Sequence, residues 1–258
     1  MSPTVTIIMS TTDQTSFIDR LFKAGSHFGF KKSRRHPTVA KYLYTTKDGN
    51  DIFDLEKTTA LLETAKETLK EAGLHGKTVL FVGTKDEASR IVKAAAEKTE
   101  SPYVTNRWIG GMLTNFSEIK KRINRLEALM SEKESGELER KYTKKERVVI
   151  GREVDKLNFN FAGISKIQKL PDYMLVVDPR HDAIAIAEAK EKRVPVMAIM
   201  GSDCDASQIQ IPVVANDSLQ TSVSLILDEL VSAYMEGKSA YVPKTVENRR
   251  PTTSRRPI

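Results

Sequence analysis

Short apolar runs alternate with amphipathic segments from Lys77 onward. This alternation predicts repeated strands and crossover helices around a parallel sheet that is buried on both faces. The predicted strands are 78–83, 102–108, 173–178, 194–200 and 211–216. Five strands of this kind predict an α/β fold with a doubly wound sheet.

Apolar residues recur at helical spacing in three segments between and after these strands. The predicted inward faces are Ala88, Ile91, Val92 and Ala95 in segment 86–98, Ile184 and Ala187 in segment 181–192, and Val223, Ile226, Leu227 and Leu230 in segment 219–234. Upstream, a short helix over 17–24 should end at Gly25. A hairpin signal at Asp48-Gly49 should then lead into a helix over 55–72.

The pattern changes between Trp108 and Leu170, where a long charged stretch has no strand signal. Apolar residues at spacings of three and four predict the seam of a coiled coil between two helices. The seam residues are Phe116, Ile119, Ile123, Leu126 and Met130, then Ile150, Val154, Leu157, Phe161 and Ile164. With a turn near Ser135-Gly136, these helices should form an antiparallel coiled-coil hairpin inserted at 109–164. The alternative is two surface helices that lie flat on the body.

The organisation that follows is an α/β domain over 17–108 and 165–237, interrupted by the hairpin. Residues 1–16 are expected to be a loose leader, and residues 238–258 a flexible basic tail. No apolar run reaches the length that a membrane span needs, so no membrane partner is expected. The lone Cys204 favours a reducing compartment, and the cytoplasm is the expected location.

Positive charge is concentrated in three segments. The chain of 258 residues has 41 Lys and Arg against 34 Asp and Glu, a net charge of +7. Segment 31–41 carries a net charge of +5, while segment 120–147 and the tail from 244 carry +4 each, which leaves the remainder acidic. A solvated surface explains any one such run, but three separate runs favour a polyanionic partner.

Segment 31–41 suits irregular RNA in particular. Its cations can bind phosphates, and nearby aromatic side chains can stack on exposed bases. These aromatic residues are Phe28, Phe30, Tyr42 and Tyr44. A membrane surface fits less well, because the segment contains a proline and has no amphipathic apolar face.

Several residues invite an enzymatic interpretation, and each has a simpler structural one. Gly83-Thr84-Lys85 lies between a strand and a helix, but it lacks the spaced glycines of a phosphate-binding loop. Carboxylates and a histidine or a cysteine follow two neighbouring strands, where α/β folds place their sites. The two sets are Asp178, His181 and Asp182, and Asp203, Cys204 and Asp205. Neither has diagnostic spacing, and helix capping by aspartate explains part of each. The four histidines are scattered with no H-x-x-x-H pair, so a zinc site is not supported. Neither a metal nor a cofactor is expected.

The junction between sheet and hairpin is more informative. Trp108, the only tryptophan, is expected to anchor the root of the hairpin, and Gly110 and Gly111 permit a tight turn before Asn115. Arg107 is expected to face a phosphate.

These residues resemble a known family, protein two of the bacterial-type small ribosomal subunit. The resemblance covers 17–237 and is carried by AGSHFGFKKSRRHP, DLEKT, VLFVGTK, NRWIGGMLTNF, YTKKERV, LPDYMLVVDPRHDAIAIAEAKEKRVPVMAI and IPVVANDS. It implies a Rossmann-like or flavodoxin-like domain of three layers with an inserted coiled-coil hairpin. It also implies a structural, non-catalytic role in translation.

The resemblance further implies binding to small-subunit ribosomal RNA and to other small-subunit proteins, including the large OB-fold protein numbered one. The candidate RNA-binding residues are Lys31, Lys32, Arg34, Arg35, Lys41, Arg107, Lys120, Lys121, Arg122, Lys144 and Lys145. The candidate junction residues are His27, Gly29, Trp108, Gly110, Gly111 and Asn115. Phe30 departs from the family pattern, in which a second histidine is common after HFG. Segment GSDCDAS lacks a proline that is usual there. A nucleotide- or metal-dependent α/β enzyme is the alternative function.

Overall fold

The computed structural model describes the backbone of residues 11–241 and the side chains of residues 17–241. In chain order the strands are β1 (Phe28–Lys31), β2 (Leu43–Lys47), β3 (Asn50–Phe53), β4 (Val79–Val82), β5 (Tyr103–Val104), β6 (Tyr173–Val177), β7 (Val196–Met200) and β8 (Ile211–Val214). The α-helices are α1 (Thr11–Lys23), α2 (Leu55–Leu74), α3 (Asp86–Lys98), α4 (Phe116–Glu134), α5 (Glu137–Lys141), α6 (Lys144–Phe161), α7 (Ala183–Glu191) and α8 (Gln220–Ser239).

The main sheet has five parallel strands in the order β5-β4-β6-β7-β8. This order confirms the predicted α/β fold and is the flavodoxin-like one. The strand order reverses between β4 and β6, so the loops after these strands flank a crevice at the carboxyl edge of the sheet.

Alternate residues of the strands enter two separate cores. On β6, Met174 and Val176 pack with α7 and the root of the hairpin, whereas Leu175 and Val177 pack with α2, α3 and α8. Because both faces are covered, the strands read as continuous apolar runs in the sequence. The sheet and the helical elements on its two faces form three layers, as predicted.

Two details of this domain differ from the prediction. The predicted strand 102–108 has only two residues in the sheet, because the chain leaves it after Val104 to build the root of the hairpin. The predicted inward face of α7 is wrong, since Ile184 is 62% exposed while Ala185, Ile186 and Ala189 are buried. All five residues of the segment AIAIA at 183–187 are apolar, so periodicity alone did not identify the inward side.

A small antiparallel sheet of order β1-β3-β2 precedes the main domain. The turn between β2 and β3 is the predicted one, with Asp48 and Gly49 both at positive φ. The first helix begins at Thr11, six residues before the predicted start, so it includes part of the expected leader. Residues 1–10 and 242–258, and with them most of the expected leader and tail, lie outside the described residues.

Helices α4 and α6 pack against each other and form a hairpin. Leu129, Leu138 and Ile150 share a cluster that is separate from the two cores of the body, and Arg125 pairs with Glu153 at 3.6 Å. The prediction for Met130 is wrong, because it is 42% exposed and its neighbour Leu129 is buried. The short helix α5 occupies the connection that was expected to be a turn. Coiled-coil geometry and the domain boundaries stay predictions.

Candidate nucleic-acid interface

The segment 31–41, called the basic loop below, is held against the loop that follows β7. The His36 amide donates to the carbonyl of Ser202 at 2.8 Å, and the amide of Ala206 donates to the hydroxyl of Thr38 at 3.0 Å. Two short 3-10 turns, Lys32–Arg34 and Pro37–Tyr42, give the loop its shape. The loop therefore presents its cations from a defined backbone.

Three cations of the basic loop face solvent. Lys31, Lys32 and Lys41 are exposed, and none of them pairs with an acid among residues 17–241. The ammonium of Lys41 lies 4.9 Å from the centre of the Tyr42 ring. These lysines form the part of the loop that can take a phosphate without breaking an existing ion pair.

Arg35 has a partner inside the protein. Its guanidinium binds both carboxylate oxygens of Asp51, with Nε 2.8 Å from Oδ2, and also donates to the hydroxyl of Thr46. Asp51 is fully buried in β3, so it depends on this bidentate pair for its compensating charge. This pairing was not predicted from the sequence, because the loop meets the strand that carries Asp51 only in the folded chain.

Arg34 is shared between the loop and the main sheet. Its guanidinium lies 2.9 Å from the carboxylate of Asp203, which also binds Arg180 at 2.6 Å. The same guanidinium sits 4.5 Å from the centre of the Phe30 ring. About half of the Arg34 side chain remains exposed, so it can meet a further anion while it keeps Asp203.

The predicted aromatic residues divide into exposed and packed ones. Tyr44 and Phe28 are 78% and 53% exposed. Phe30 lies under Arg34, and Tyr42 packs against the body core. Phe28 lies against the His27 ring, so Tyr44 is the predicted aromatic residue whose ring is most available for stacking on a base.

Several residues that invited an enzymatic interpretation lie close together at the carboxyl edge of the sheet. The side chains of Asp178, Cys204 and Asp217 approach within 4.8 Å of one another. Lys85 lies among them, with its ammonium 3.1 Å from Asp178, 4.0 Å from Asp217 and 2.9 Å from the hydroxyl of Ser218. Asp217 was not among the predicted site residues, although it belongs to the motif IPVVANDS at the end of β8.

Burial and mutual repulsion set the protonation of this cluster. Burial raises the pKa of Asp217 to about 7, with Asp178 adding to the rise and Lys85 opposing it. Burial also raises the pKa of the Cys204 thiol, which makes it a poor nucleophile. For Lys85, burial alone would lower the pKa, but Asp217 and Asp178 together raise it. The ammonium of Lys85 is thus the cation that balances these carboxylates.

His181 and Asp182, from the first predicted set, join two loops across the crevice. The Thr84 hydroxyl donates to Asp182 at 2.7 Å and lies 2.9 Å from Nδ1 of His181. Asp182 is buried and also accepts from the Thr84 amide at 3.2 Å. Asp182 thereby ties the loop after β4 to the start of α7, and this structural role accounts for its position.

The root of the hairpin is organised by a residue that the sequence did not suggest. Glu188 of α7 is only 7% exposed and accepts five hydrogen bonds between 2.7 and 3.1 Å. The donors are Trp108 Nε1, the amides of Gly111, Leu113 and Thr114, and the Thr114 hydroxyl. Burial alone would raise the pKa of Glu188, but these hydrogen bonds lower it.

The predicted junction residues take different positions around this carboxylate. Trp108 is buried, and Gly111 has a φ of +93°, which turns its amide toward Glu188. Gly110 is exposed, and Asn115 directly precedes α4. Arg107 is exposed beside Trp108, and its contact with a phosphate stays a prediction.

His27 and Gly29 belong to the small sheet instead. The His27 ring is stacked on Phe22 at 4.3 Å between ring centres and lies 4.0 Å from Phe28, and burial lowers its pKa. A Cβ on Gly29 would lie 3.2 Å from the Ser202 hydroxyl, which accepts a hydrogen bond from the next amide. Gly29 therefore permits the close approach of β1 to the loop after β7.

The hairpin cations lie on two helices. On α4, Lys120 donates to Gln168 at 3.2 Å, Lys121 pairs with Glu118 at 2.6 Å, and Arg122 is exposed. At the start of α6, Lys144 and Lys145 are exposed. The hairpin cations therefore lie on elements other than those of the basic loop.

None of the helices in the described part of the chain combines the length and the apolar character that a bilayer span requires.

Comparison with known proteins gives a consistent result over most of the chain. A family model described as Ribosomal protein S2 matches residues 21–237. The chain is 40% identical over 219 residues to small ribosomal subunit protein uS2 of Dictyoglomus thermophilum, which covers 85% of this chain and 89% of that one. It is 37% identical over 224 residues to small ribosomal subunit protein uS2c of Emiliania huxleyi, with 87% and 97% covered.

Proposed function

This chain belongs to the ribosomal protein S2 family, and we propose that it binds small-subunit ribosomal RNA through its basic loop. It is a structural constituent of the small ribosomal subunit and takes part in translation on the ribosome. The observation that carries the proposal is the group of unpaired lysines, Lys31, Lys32 and Lys41, on a loop whose backbone is fixed by the sheet domain.

A fixed loop suits phosphate binding because little conformational entropy is lost when the ligand arrives. Each lysine that neutralises a phosphate releases bound counterions, so affinity should fall as salt rises. Arg34 can add a further contact, while Arg35 holds the loop through Asp51. The exposed Tyr44 supplies a ring for an unpaired base.

We propose a second RNA contact at the root of the hairpin. Arg107 and Arg122 are exposed there and have no acidic partner among residues 17–241, whereas Lys120 and Lys121 each already bind a neighbouring side chain. Glu188 fixes the turn that carries Arg107, so this contact too would come from a rigid element.

Other small-subunit proteins are expected neighbours, and the finer proposal is that one of them is the large OB-fold protein numbered one. An exposed apolar patch formed by Phe22, Phe28 and Leu219 supports a protein partner. The purified large OB-fold protein should bind this chain, and replacement of Phe22 and Phe28 by serine should weaken that binding. Equal binding by the variant would overturn this assignment of the patch.

We propose that the chain has no catalytic role. The residues that suggested one already satisfy each other: Lys85 balances Asp178 and Asp217, and Thr84 bonds Asp182. A buried thiol with a raised pKa does not supply a nucleophile either.

The RNA proposal is tested by charge reversal in the full chain. The variant Lys31→Glu/Lys32→Glu should bind small-subunit ribosomal RNA at least about tenfold more weakly at low salt and show a smaller salt slope. The matched control is Lys93→Glu/Lys190→Glu, which makes the same charge change at exposed positions on α3 and α7. Filter binding across a salt series measures the affinity and the salt slope of each variant. Equal losses in the two variants would show that only net charge matters and would refute the basic loop as the site.

A further inference from the structure

A recess at the carboxyl edge of the main sheet lies between the basic loop, the loop after β6 and the loop after β7. The residues that define it below are Arg34, Arg180, Ala183, Ile186, Asp205 and Ile209, and we call it the arginine pocket. Its volume is about 410 Å³. Small-molecule sites are typically about 300–1,000 Å³, so the pocket is large enough for a small ligand.

Two guanidinium groups converge in the arginine pocket. Arg34 and Arg180 lie 2.9 Å and 2.6 Å from the same carboxylate oxygen, Oδ2 of Asp203. One carboxylate cannot balance two guanidinium charges, so this part of the pocket has an excess of positive charge. Each guanidinium presents several N–H donors in a planar fork, and more than half of each arginine side chain is exposed. The pair therefore has donors left for a second anion.

The pocket also contains a carboxylate that pairs with neither arginine. Asp205 accepts hydrogen bonds from the hydroxyl and the amide of Ser207 at 2.7 and 2.9 Å, and these bonds lower its pKa to about 2. Asp205 is therefore ionised at neutral pH and can accept further hydrogen bonds from hydroxyl or amino groups. The pocket suits a ligand that has an anion in one part and hydrogen-bond donors in another.

The rest of the pocket has an apolar wall. Pro179, Ile186 and Ile209 are buried residues that line it, and Ala183 is exposed at the start of α7. A flat heterocyclic ring can cover an aliphatic surface of this kind, whereas a small inorganic anion leaves it in water. The wall therefore favours a ligand that has a ring as well as an anionic group.

A neighbouring recess shares Arg34 and Arg180 but is a poorer place for an anion. It is lined by Glu87 and Asp178 as well. The ammonium of Lys85, which also lines it, already lies 3.1 Å from Asp178. Because carboxylates repel a phosphate, the anion is expected on the side of the arginine pocket.

We propose that the arginine pocket binds a free mononucleotide, with the phosphate on Arg34 and Arg180, the base against the apolar wall and the ribose hydroxyls toward Asp205. The planar fork of arginine matches the oxygens of a phosphate. A sugar phosphate would leave the wall uncovered, and a nucleoside would leave the arginine donors without an anion. The exposed lysines that carry the RNA proposal do not line this pocket, so the site is a binding function beyond the proposed one.

The first test uses the purified full chain and calorimetric titration. The probes are AMP, CMP, GMP and UMP, and the tightest of them is compared with its nucleoside, with ribose 5-phosphate and with inorganic phosphate. We expect the nucleotide to bind at least about tenfold more tightly than each of its parts. Equal affinity for inorganic phosphate would show a site for anions only and would overturn the proposal. The absence of saturable binding of all four nucleotides up to about 5 mM would overturn it as well.

Arginine variants test the phosphate contact. Arg34→Gln and Arg180→Gln should each weaken nucleotide binding at least about tenfold, because a charged fork is lost. In either variant the other arginine still pairs with Asp203, and the thermal midpoint checks that the fold is kept. The matched control is Arg152→Gln, which changes an exposed arginine of α6. If all three variants bind the nucleotide equally well, the arginine pair is not the phosphate site.

A blocking variant locates the nucleotide in the pocket. Ala183→Glu places a longer, negatively charged side chain in the pocket at the first residue of α7, where an acid is compatible with a helix. It should abolish nucleotide binding. Ala187→Glu makes the same change one turn later, at an exposed position outside the pocket, and should bind like the wild type. Equal binding by these two variants would place the nucleotide elsewhere and overturn the proposal.

An RNA strand is the other source of phosphate, and the same variants distinguish it. If Arg180→Gln weakens the binding of small-subunit ribosomal RNA while no mononucleotide binds the wild type, the arginine pair holds an RNA backbone and the proposal is overturned. The proposed function fails by a different result, namely unchanged RNA binding by Lys31→Glu/Lys32→Glu. Either failure can therefore be observed without the other.

Discussion

Replacing Glu188 with glutamine should loosen the root of the hairpin and destabilise the whole chain. The carboxylate accepts five hydrogen bonds, two at Oε1 from Trp108 and Gly111 and three at Oε2 from Leu113 and Thr114. Glutamine keeps one oxygen and turns an NH2 group toward the remaining donors. At least two hydrogen bonds to a charged acceptor are then lost, and two buried donors are left unpaired.

The size of the effect follows from these losses. A hydrogen bond to a charged group contributes about 1.5–3 kcal/mol, so two of them amount to about 3–6 kcal/mol before relaxation. We expect the free energy of unfolding to fall by about 3–5 kcal/mol. Glu191→Gln is the matched control on the same helix, because Glu191 is exposed, and it should change stability by less than about 0.5 kcal/mol.

The assay has a built-in probe. Trp108 is the only tryptophan and bonds Glu188 directly, so its fluorescence reports the junction during urea unfolding. Far-ultraviolet circular dichroism reports the whole chain in the same samples.

The same carboxylate should also make stability depend on pH. Its pKa is lowered in the folded chain, so its stabilisation is present above the ordinary value of about 4.3 and is lost as pH falls through the lower folded value. Wild-type stability should therefore drop in this acidic range by an amount that Glu188→Gln does not show. A variant as stable as Glu191→Gln, or one with the same acid dependence as wild type, would refute the proposed role of Glu188.

Three further changes test the packing and the buried charges by urea unfolding. Asp217 has a folded pKa of about 7, above its unfolded value, so the free energy of unfolding of the wild type falls as pH rises toward 7. Asp217→Asn lacks this loss. Between pH 5 and 8 its free energy of unfolding should therefore rise by about 2–3 kcal/mol relative to that of the wild type. A constant difference across that range would contradict the assignment. Arg35→Ala leaves the buried Asp51 without its cation and should cost about 3 kcal/mol, whereas a loss under about 1 kcal/mol would show that Asp51 does not need it. Gly237→Ala places a methyl group against the backbone of α2 and should lower the free energy of unfolding by about 1–3 kcal/mol. Gly151→Ala meets no neighbouring atom and should raise it by about 0.5–1 kcal/mol. Changes of the same sign in the two variants would refute the argument from close packing.

Much of the architecture could be predicted because it depends on local patterns. The strands of the main sheet are buried on both faces, so they appear as apolar runs whatever surrounds them. The hairpin turn at Asp48-Gly49 follows from residues that tolerate positive φ. Periodicity failed where the sequence was apolar on more than one side, as at Ile184, and where neighbouring apolar residues competed for the seam, as at Leu129 and Met130.

The candidate site was less predictable, because the sequence shows which residues are charged but not which charges are already paired. Arg35 and Lys31 look alike in the basic loop, yet the first binds a buried aspartate sixteen residues away and the second faces solvent. Glu188 looks like any exposed glutamate of an amphipathic helix until the root of the hairpin folds over it.

The sequence by itself determined the succession of strands and helices, the inserted hairpin, the segregation of positive charge and, through its motifs, the family. Only the tertiary structure decided which cations lack an acidic partner within residues 17–241, that Glu188 holds the hairpin root, and that Val148, Val149 and Phe159 of α6 stay exposed. The physical reason is that helix and strand preferences act over a few residues. Desolvation and charge pairing depend instead on groups that only folding brings together, such as Arg34 and Asp203, which are 169 positions apart.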